Sequence, residues 1–541
     1  MSTNSTDNKN YGKQFLSGVA ILAISTFIVK IIGLFYKIPM MAYLGAEGMG
    51  YFNSAYDIYS LFFVVSTTGI PVAISILVSE NKVQGKITNI KKIFNISVIV
   101  LGVLGFIGTF FLCFFNTKMA EWIRNNYASY SILAISPTLF LICISSAIRG
   151  YFQGNQIMLP TAISQIIEAI GKLLLGLGFA IIAINKGYSM PIVASYAALG
   201  LTLSVGLSLC YLIFYKLFYK MRYSQDIINA NTDSNKSILK KLLQIALPIT
   251  ISSTILSLTK IIDMTMILRR LNDIGYTQTQ ANAVYGSYST MAVSLYNLPT
   301  TLISAISLPL VPMLASAIKA KDVYKEKSVI SSALKLTALI GLPAGLGISV
   351  FSNPILALLF SSQTNEVEYV APLLSLLGMS IFLSSMITTT NAILQAYQLV
   401  YKPIISMMLG TLAKIVSSYL LIGTPKINIY GAPISTLISV IIIVSVNLYF
   451  IIKQSGKLSS VYSLFIKPFI ATVISIICGT GIYFLLDNLL STSINIFITI
   501  LSVVIIYLVF ILKLNVIDSE EMLMLPKGEN LLRLLKKTKF I

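Results

Sequence analysis

Apolar stretches of roughly 20 residues, each long enough to cross a ~30 Å hydrocarbon core, follow one another from end to end of this chain. We read fourteen of them, from 15–38 and 55–78 through 285–317 to 493–512, with no soluble domain of ordinary size between them. In lipid, backbone N–H and C=O groups find partners only within the chain, so segments of this length must be helices. The expected fold is an all-α polytopic membrane protein with 14 transmembrane helices.

Charge is scarce, 11% of residues, so its placement is informative. Seven ionisable side chains stand out inside the apolar stretches: Lys30, Lys37, Glu168, Lys172, Lys260, Asp263 and Lys414. Each costs roughly 3 kcal/mol near the bilayer centre, so such residues persist mainly beside water, a partner or a substrate. Five of the seven are basic, which points to an anionic cargo. The chain has no His, removing the usual proton relay and the commonest metal ligand. Its four cysteines, Cys113, Cys143, Cys210 and Cys478, lie in apolar segments at unrelated spacings and suggest neither a disulfide framework nor a metal site.

A net charge of +20 could indicate nucleic acid, but its distribution argues otherwise. With the N-terminus inside, inner loops and tails hold 28 of the 39 Lys and Arg, including Lys335, while outer loops hold six and spans five. That is the positive-inside pattern, and it places both termini in the cytoplasm of a cell membrane protein.

The organisation follows from an internal repeat. Lys-Ile-Ile recurs at Lys30 and Lys260, and Gln153, Gln156 and Lys172 recur as Gln395, Gln398 and Lys414 at one offset of 242. These matches favour a duplication of six helices with two more appended. We expect a polar, disordered tail at 1–14, an N-lobe at 15–222, a linker at 223–242, a C-lobe at 243–453, helices 13 and 14 at 454–514, and a cytoplasmic amphipathic tail at 515–541.

Several candidates have two readings. Lys30 and Lys37, seven residues apart, share a helix face and can line a cavity, although Lys37 is also placed to snorkel to an interface. Glu168 with Lys172 and Lys260 with Asp263 have the spacing of self-neutralising pairs, or of carboxylates that switch partners or take a coupling cation. Lys414 has no acid within a turn and needs a partner elsewhere, or a bound anion. Arg269 ends span 7 as an interface anchor or a substrate contact; Arg149 and Gln153 belong to a glycine-bearing cytoplasmic turn. Gly341-Leu-Pro343-Ala-Gly345 is a site for a helix bend.

The run from Lys30 to Pro39, Leu44-Gly45-Ala-Glu47-Gly48, Gly69-Ile-Pro71 and Arg149-Gly-Tyr-Phe-Gln153-Gly followed by Pro160 to Glu168 resemble one group. It is the stage V sporulation protein B and lipid II flippase branch of the multidrug/oligosaccharidyl-lipid/polysaccharide exporter superfamily. The resemblance implies two six-helix lobes around a cavity that opens alternately to each side, and two terminal helices forming a groove for a lipid tail. It implies an undecaprenyl-pyrophosphate-linked glycan as cargo, with the pyrophosphate met by Lys30 and Lys37, Lys where Arg is common; to these we add, as our own candidates from the charge pattern, Lys260 or Lys414 on the facing lobe and Arg269. The resemblance also implies no cofactor beyond a coupling cation such as Na+ or H+, or the membrane potential. Expected partners are the glycan lipid, membrane lipids and cell-wall synthesis proteins, with no nucleic acid, and the protein is expected to be a monomer. The competing readings are a cation-coupled multidrug exporter, a membrane glycosyltransferase or polymerase, and a scaffold. The intramembrane lysines disfavour the first, and the short outer loops without Asp-x-Asp or His disfavour the second. A flippase that does no chemistry on its cargo is the expectation.

Overall fold

The computed structural model describes residues 4–219, 233–307, 310–456, 461–487, 489–514 and 516. The linker is therefore described from Asp233 onward, and only Val516 of the expected amphipathic tail lies within the described residues. The first compact unit, Met1–Thr290, holds α1 (Asn4–Thr67), α2 (Gly69–Val83), α3 (Ile87–Trp122), α4 (Ala128–Ile135), α5 (Thr138–Gly154), α6 (Leu159–Gly171), α7 (Leu177–Asn185), α8 (Met190–Phe218), α9 (Asn235–Asp273) and α10 (Gln278–Ser287). The second, Met291–Ile541, holds α11 (Val293–Ser307), α12 (Leu310–Lys319), α13 (Val323–Val350), α14 (Ser352–Leu359), α15 (Thr364–Ala396), α16 (Tyr401–Ile422), α17 (Gly431–Ser455), α18 (Lys467–Asp487) and α19 (Thr492–Lys513). Among the described residues there is no strand.

Twelve helical stretches of the described residues are long and apolar enough to cross a membrane, and the chain is a multi-pass membrane protein. One of them, Ile24–Lys82, has 59 residues. As a straight helix it would reach ~88 Å, far more than one crossing needs. Gly45, at φ 61° and ψ −173°, divides it, a backbone geometry that a side chain at that position would strain. The stretch thus takes in both of the first two expected spans. Within the expected span 285–317, α10 runs through a π turn (Tyr288–Ala292) into α11, which contains Pro299, and the described residues resume at α12. The polar start, expected as a disordered tail, is helical from Asn4. Extending a helix already nucleated by the apolar run adds one hydrogen bond per residue fixed.

Helix α9, with which the expected C-lobe opens, packs within the first compact unit. Ile238, Leu242 and Ala246 of α9 share one buried cluster with Ile70, Ala73, Ile74 and Leu77 of α2. At the linker's described end, Lys241 Nζ lies 2.8 Å from Asp233 Oδ2, and Asp233 N donates to Asn89 Oδ1 on α3 at 3.1 Å. The Lys241 hydrogen bond holds the Asp233 carboxyl below the usual carboxylate range.

The two glutamine-bearing segments of the sequence match have the same backbone turn. After α5, the amides of Asn155, Gln156 and Ile157 donate to the carbonyls of Tyr151, Gln153 and Phe152. After α15, those of Tyr397, Gln398 and Leu399 donate to Ile393, Gln395 and Leu394, the same turn 242 residues later. Gln156 and Gln398 both adopt left-handed φ, 64° and 62°.

In the second unit, Pro343 lies inside α13 and leaves the carbonyl four residues back, that of Leu339, without its usual donor. Tyr507 of α19 supplies one, its hydroxyl donating to Leu339 O at 2.8 Å. Tyr507 of α19 is therefore hooked onto α13 one turn before Pro343. Tyr507→Phe should lower thermal stability by about 1 kcal/mol. In a Pro343→Ala background, where residue 343 regains an amide for Leu339 O, the same change should have less effect. Equal effects in both backgrounds would refute the pairing.

Candidate functional site

The first unit gathers charge around α1 and its kink. Lys30 and Lys37 precede Gly45 on α1; Asp57 follows it on the same helix. Lys37 interacts electrostatically with Lys172, Asp57, Lys260 and Lys30, so four lysines from α1, α9 and the π turn after α6 meet in one region. Lys30 and Lys260 are its exposed members, and Lys37 and Lys172 are half-buried. Asp57 interacts electrostatically with Lys260, Lys37 and Asp263, and the Tyr285 hydroxyl of α10 donates to its Oδ2.

Small polar residues hold the downstream half of α1 in place. Asn53 Nδ2 donates to Thr290 Oγ1 at 2.7 Å, and Asn125 Nδ2 donates to Ser54 Oγ at 3.1 Å and to Asn282 Oδ1 at 2.7 Å. A Cβ at Gly50 would sit 2.3 Å from Asn282 O, and one at Gly286 only 2.1 Å from Ala46 O, so backbone touches backbone between α1 and α10. That approach brings Tyr285 to Asp57.

Glu168 and Lys172 do not form the expected pair. Arg149 takes the carboxylate, with Nη2 3.0 Å from Glu168 Oε2, while its Nε donates to Ser164 Oγ at 3.0 Å and Nη2 to Ser208 Oγ at 3.1 Å. Arg149 is only 8% exposed and belongs to the body of α5, not to a cytoplasmic turn. An arginine fork meets one carboxylate and two hydroxyls at once, which a lysine point charge cannot do. Lys172 turns instead to two aromatic faces, its Nζ 4.4 Å from the Tyr56 ring centroid and 5.1 Å from that of Tyr36. It opens a π turn, Lys172–Gly176, an irregularity common at functional positions in helices. A cleft of about 70 Å³ beside it is lined by Tyr56, Tyr59, Ser60, Phe63, Glu168 and Lys172, among others.

The remaining candidates lie elsewhere. Arg269 donates from Nε to Trp122 O at 2.8 Å and lies over the Trp122 ring at 5.6 Å, tying α9 to the end of α3. Gln153 sits in the last turn of α5, its carbonyl engaged by Gln156 N. Lys414 is buried on α16 of the second unit, and Lys335, read as a loop residue, is buried on α13, which starts twelve residues earlier at Val323. Asp57 was missed because it sits near the edge of an expected span. The polar stripe Asn53, Asp57, Ser60, at i, i+4 and i+7 on one apolar helix, is the signal that marks it.

The profile of a family described as "Polysaccharide biosynthesis protein" matches residues 15–317. The chain is 26% identical over 354 residues to the stage V sporulation protein B of Bacillus subtilis (strain 168), covering 64% of this chain and 67% of that one. It is also 26% identical over 397 residues to the lipid II flippase MurJ of the same organism, covering 71% and 72%. Among solved structures, lipid II flippase MurJ in an inward closed conformation matches with a TM-score of 0.67 at 18% identity, covering 91% of this chain and 98% of that one. A multidrug resistance MATE family transporter of the MOP superfamily in an inward-facing conformation matches with a TM-score of 0.62, also at 18% identity, over 80% and 100%. With more than half its length matched and the fold of MOP-superfamily transporters, the chain belongs to the polysaccharide biosynthesis protein family.

Proposed function

We propose that this protein is a flippase that carries a polyprenyl-pyrophosphate-linked glycan, a lipid II-like cell-wall precursor, from the inner to the outer leaflet by alternating access and does no chemistry on it. The observation that supports this is the charge of the cluster in the first unit. Lys30, Lys37, Lys172, Lys260 and Arg149 face Asp57, Glu168 and Asp263, leaving an excess of two positive charges inside a membrane protein. A pyrophosphate diester carries two negative charges and would neutralise it; a cationic drug would add to it. Lys30 and Lys260, the exposed members, meet the head group first. The basic loops keep both termini in the cytoplasm. An inside-negative potential favours outward transfer of an anion by about 2.3 kcal/mol per charge per 100 mV, which serves as a driving force without a cofactor.

The experiment is translocation of fluorescent lipid II by the purified protein in liposomes, with and without an inside-negative potential. Translocation that rises with the potential is expected. A folded protein that moves neither lipid II nor another polyprenyl-linked glycan, but does move a cationic dye, would replace this reading with the drug-exporter one.

A further inference from the structure

We infer that Asp57 is the resident counter-anion of the lysine cluster and sets how many negative charges a cargo must bring. This rests on the proposed reading of the site and deepens it.

The three carboxylates of the cluster are not equivalent. Glu168 is committed to Arg149, which is itself anchored by Ser164 and Ser208, so this pair is closed and nearly self-neutral. Asp263 is on α9, one turn from Lys260. Asp57 is different. It interacts with Lys37 on its own helix and with Lys260 on α9, and so joins the two elements that bring the lysines together. A hydrogen bond from Tyr285 on α10 orients it, and the asparagine contacts of Asn53 and Asn282 fix the helix that carries it. An anion reaching Lys30 and Lys260 must compete with a carboxylate already seated among those charges.

The consequence is selectivity by charge count. With Asp57 ionised the cluster has two positive charges in excess, so a phosphodiester with one negative charge leaves one uncompensated and a pyrophosphate diester leaves none. Without that carboxylate the excess is three. A dianionic cargo is then held by a site that still has surplus positive charge, and release slows.

The test uses the full-length protein in nanodiscs with two probes carrying uncharged sugars: polyprenyl-pyrophosphoryl-N-acetylglucosamine, with two charges, and polyprenyl-phosphoryl-glucose, with one. Wild type should bind the first at least tenfold more tightly than the second. Asp57→Asn should bind the first at least tenfold more tightly than wild type does, dissociate it more slowly and turn over more slowly in liposomes. The charge-conserving double variant Lys37→Gln with Asp57→Asn should return the affinity ratio to the wild-type value, a readout available even where the single variant folds poorly. Unchanged affinities in folded Asp57→Asn, or a double variant that tracks a single one, would overturn the role of Asp57 while leaving the flippase reading standing. Wild-type protein that binds neither probe would overturn this inference, and the flippase reading with it if the same protein also fails to move lipid II in liposomes.

Discussion

Arg149→Ala prevents the protein from accumulating in the membrane, and adding Glu168→Gln restores much of the loss. This expectation follows from the Arg149–Glu168 ion pair and its hydroxyl partners. Arg149 donates to Glu168, Ser164 and Ser208, uniting α5, α6 and α8. Removing one partner of a buried pair strands the other charge, at a cost of roughly 3–5 kcal/mol. Glu168 keeps some access to the adjacent cleft, which places the effect toward the lower end of that range. Against a typical total stability of about 5–15 kcal/mol, such a loss depletes the folded population. In the double variant no charge is stranded. Membrane abundance and thermal unfolding in detergent check the prediction; a single variant as stable as wild type would show that the network does not hold these helices.

Lys30→Ala should have the opposite profile, with normal abundance and flipping reduced at least tenfold. Lys30 is exposed, so little packing is lost with it, and a surplus positive charge is removed from the membrane interior. What disappears is a hydrogen bond to a charged head group, about 1.5–3 kcal/mol, or roughly ten- to a hundredfold. Wild-type flipping by folded Lys30→Ala would remove that residue from the site. Lys260→Ala, also exposed, tests the same region from α9.

The helices were legible because lipid leaves the backbone no alternative, and the duplicated turns because Gln153, Gln156, Gln395 and Gln398 keep their spacing. The lysines were legible because a charge in an apolar run is conspicuous. What did not show was pairing. Local spacing favoured Glu168 with Lys172, but Arg149 reaches the carboxylate from another helix and brings two hydroxyls with it. Spacing along one helix counts only neighbours on that helix, whereas a packed bundle offers partners from three. Asp57 was overlooked for a related reason: an acid near a span's edge looks solvated until the continuous helix beyond Gly45 places it in the interior.

The surplus of positive charge also bears on when voltage does its work. In the proposed cycle the loaded site is close to neutral, so the membrane field exerts little net force as cargo and protein move together. The unloaded site has two charges uncovered, and an inside-negative potential draws them back toward the cytoplasm. The electrical stroke of such a carrier is its recovery, and its speed should depend on potential most steeply when no cargo is bound.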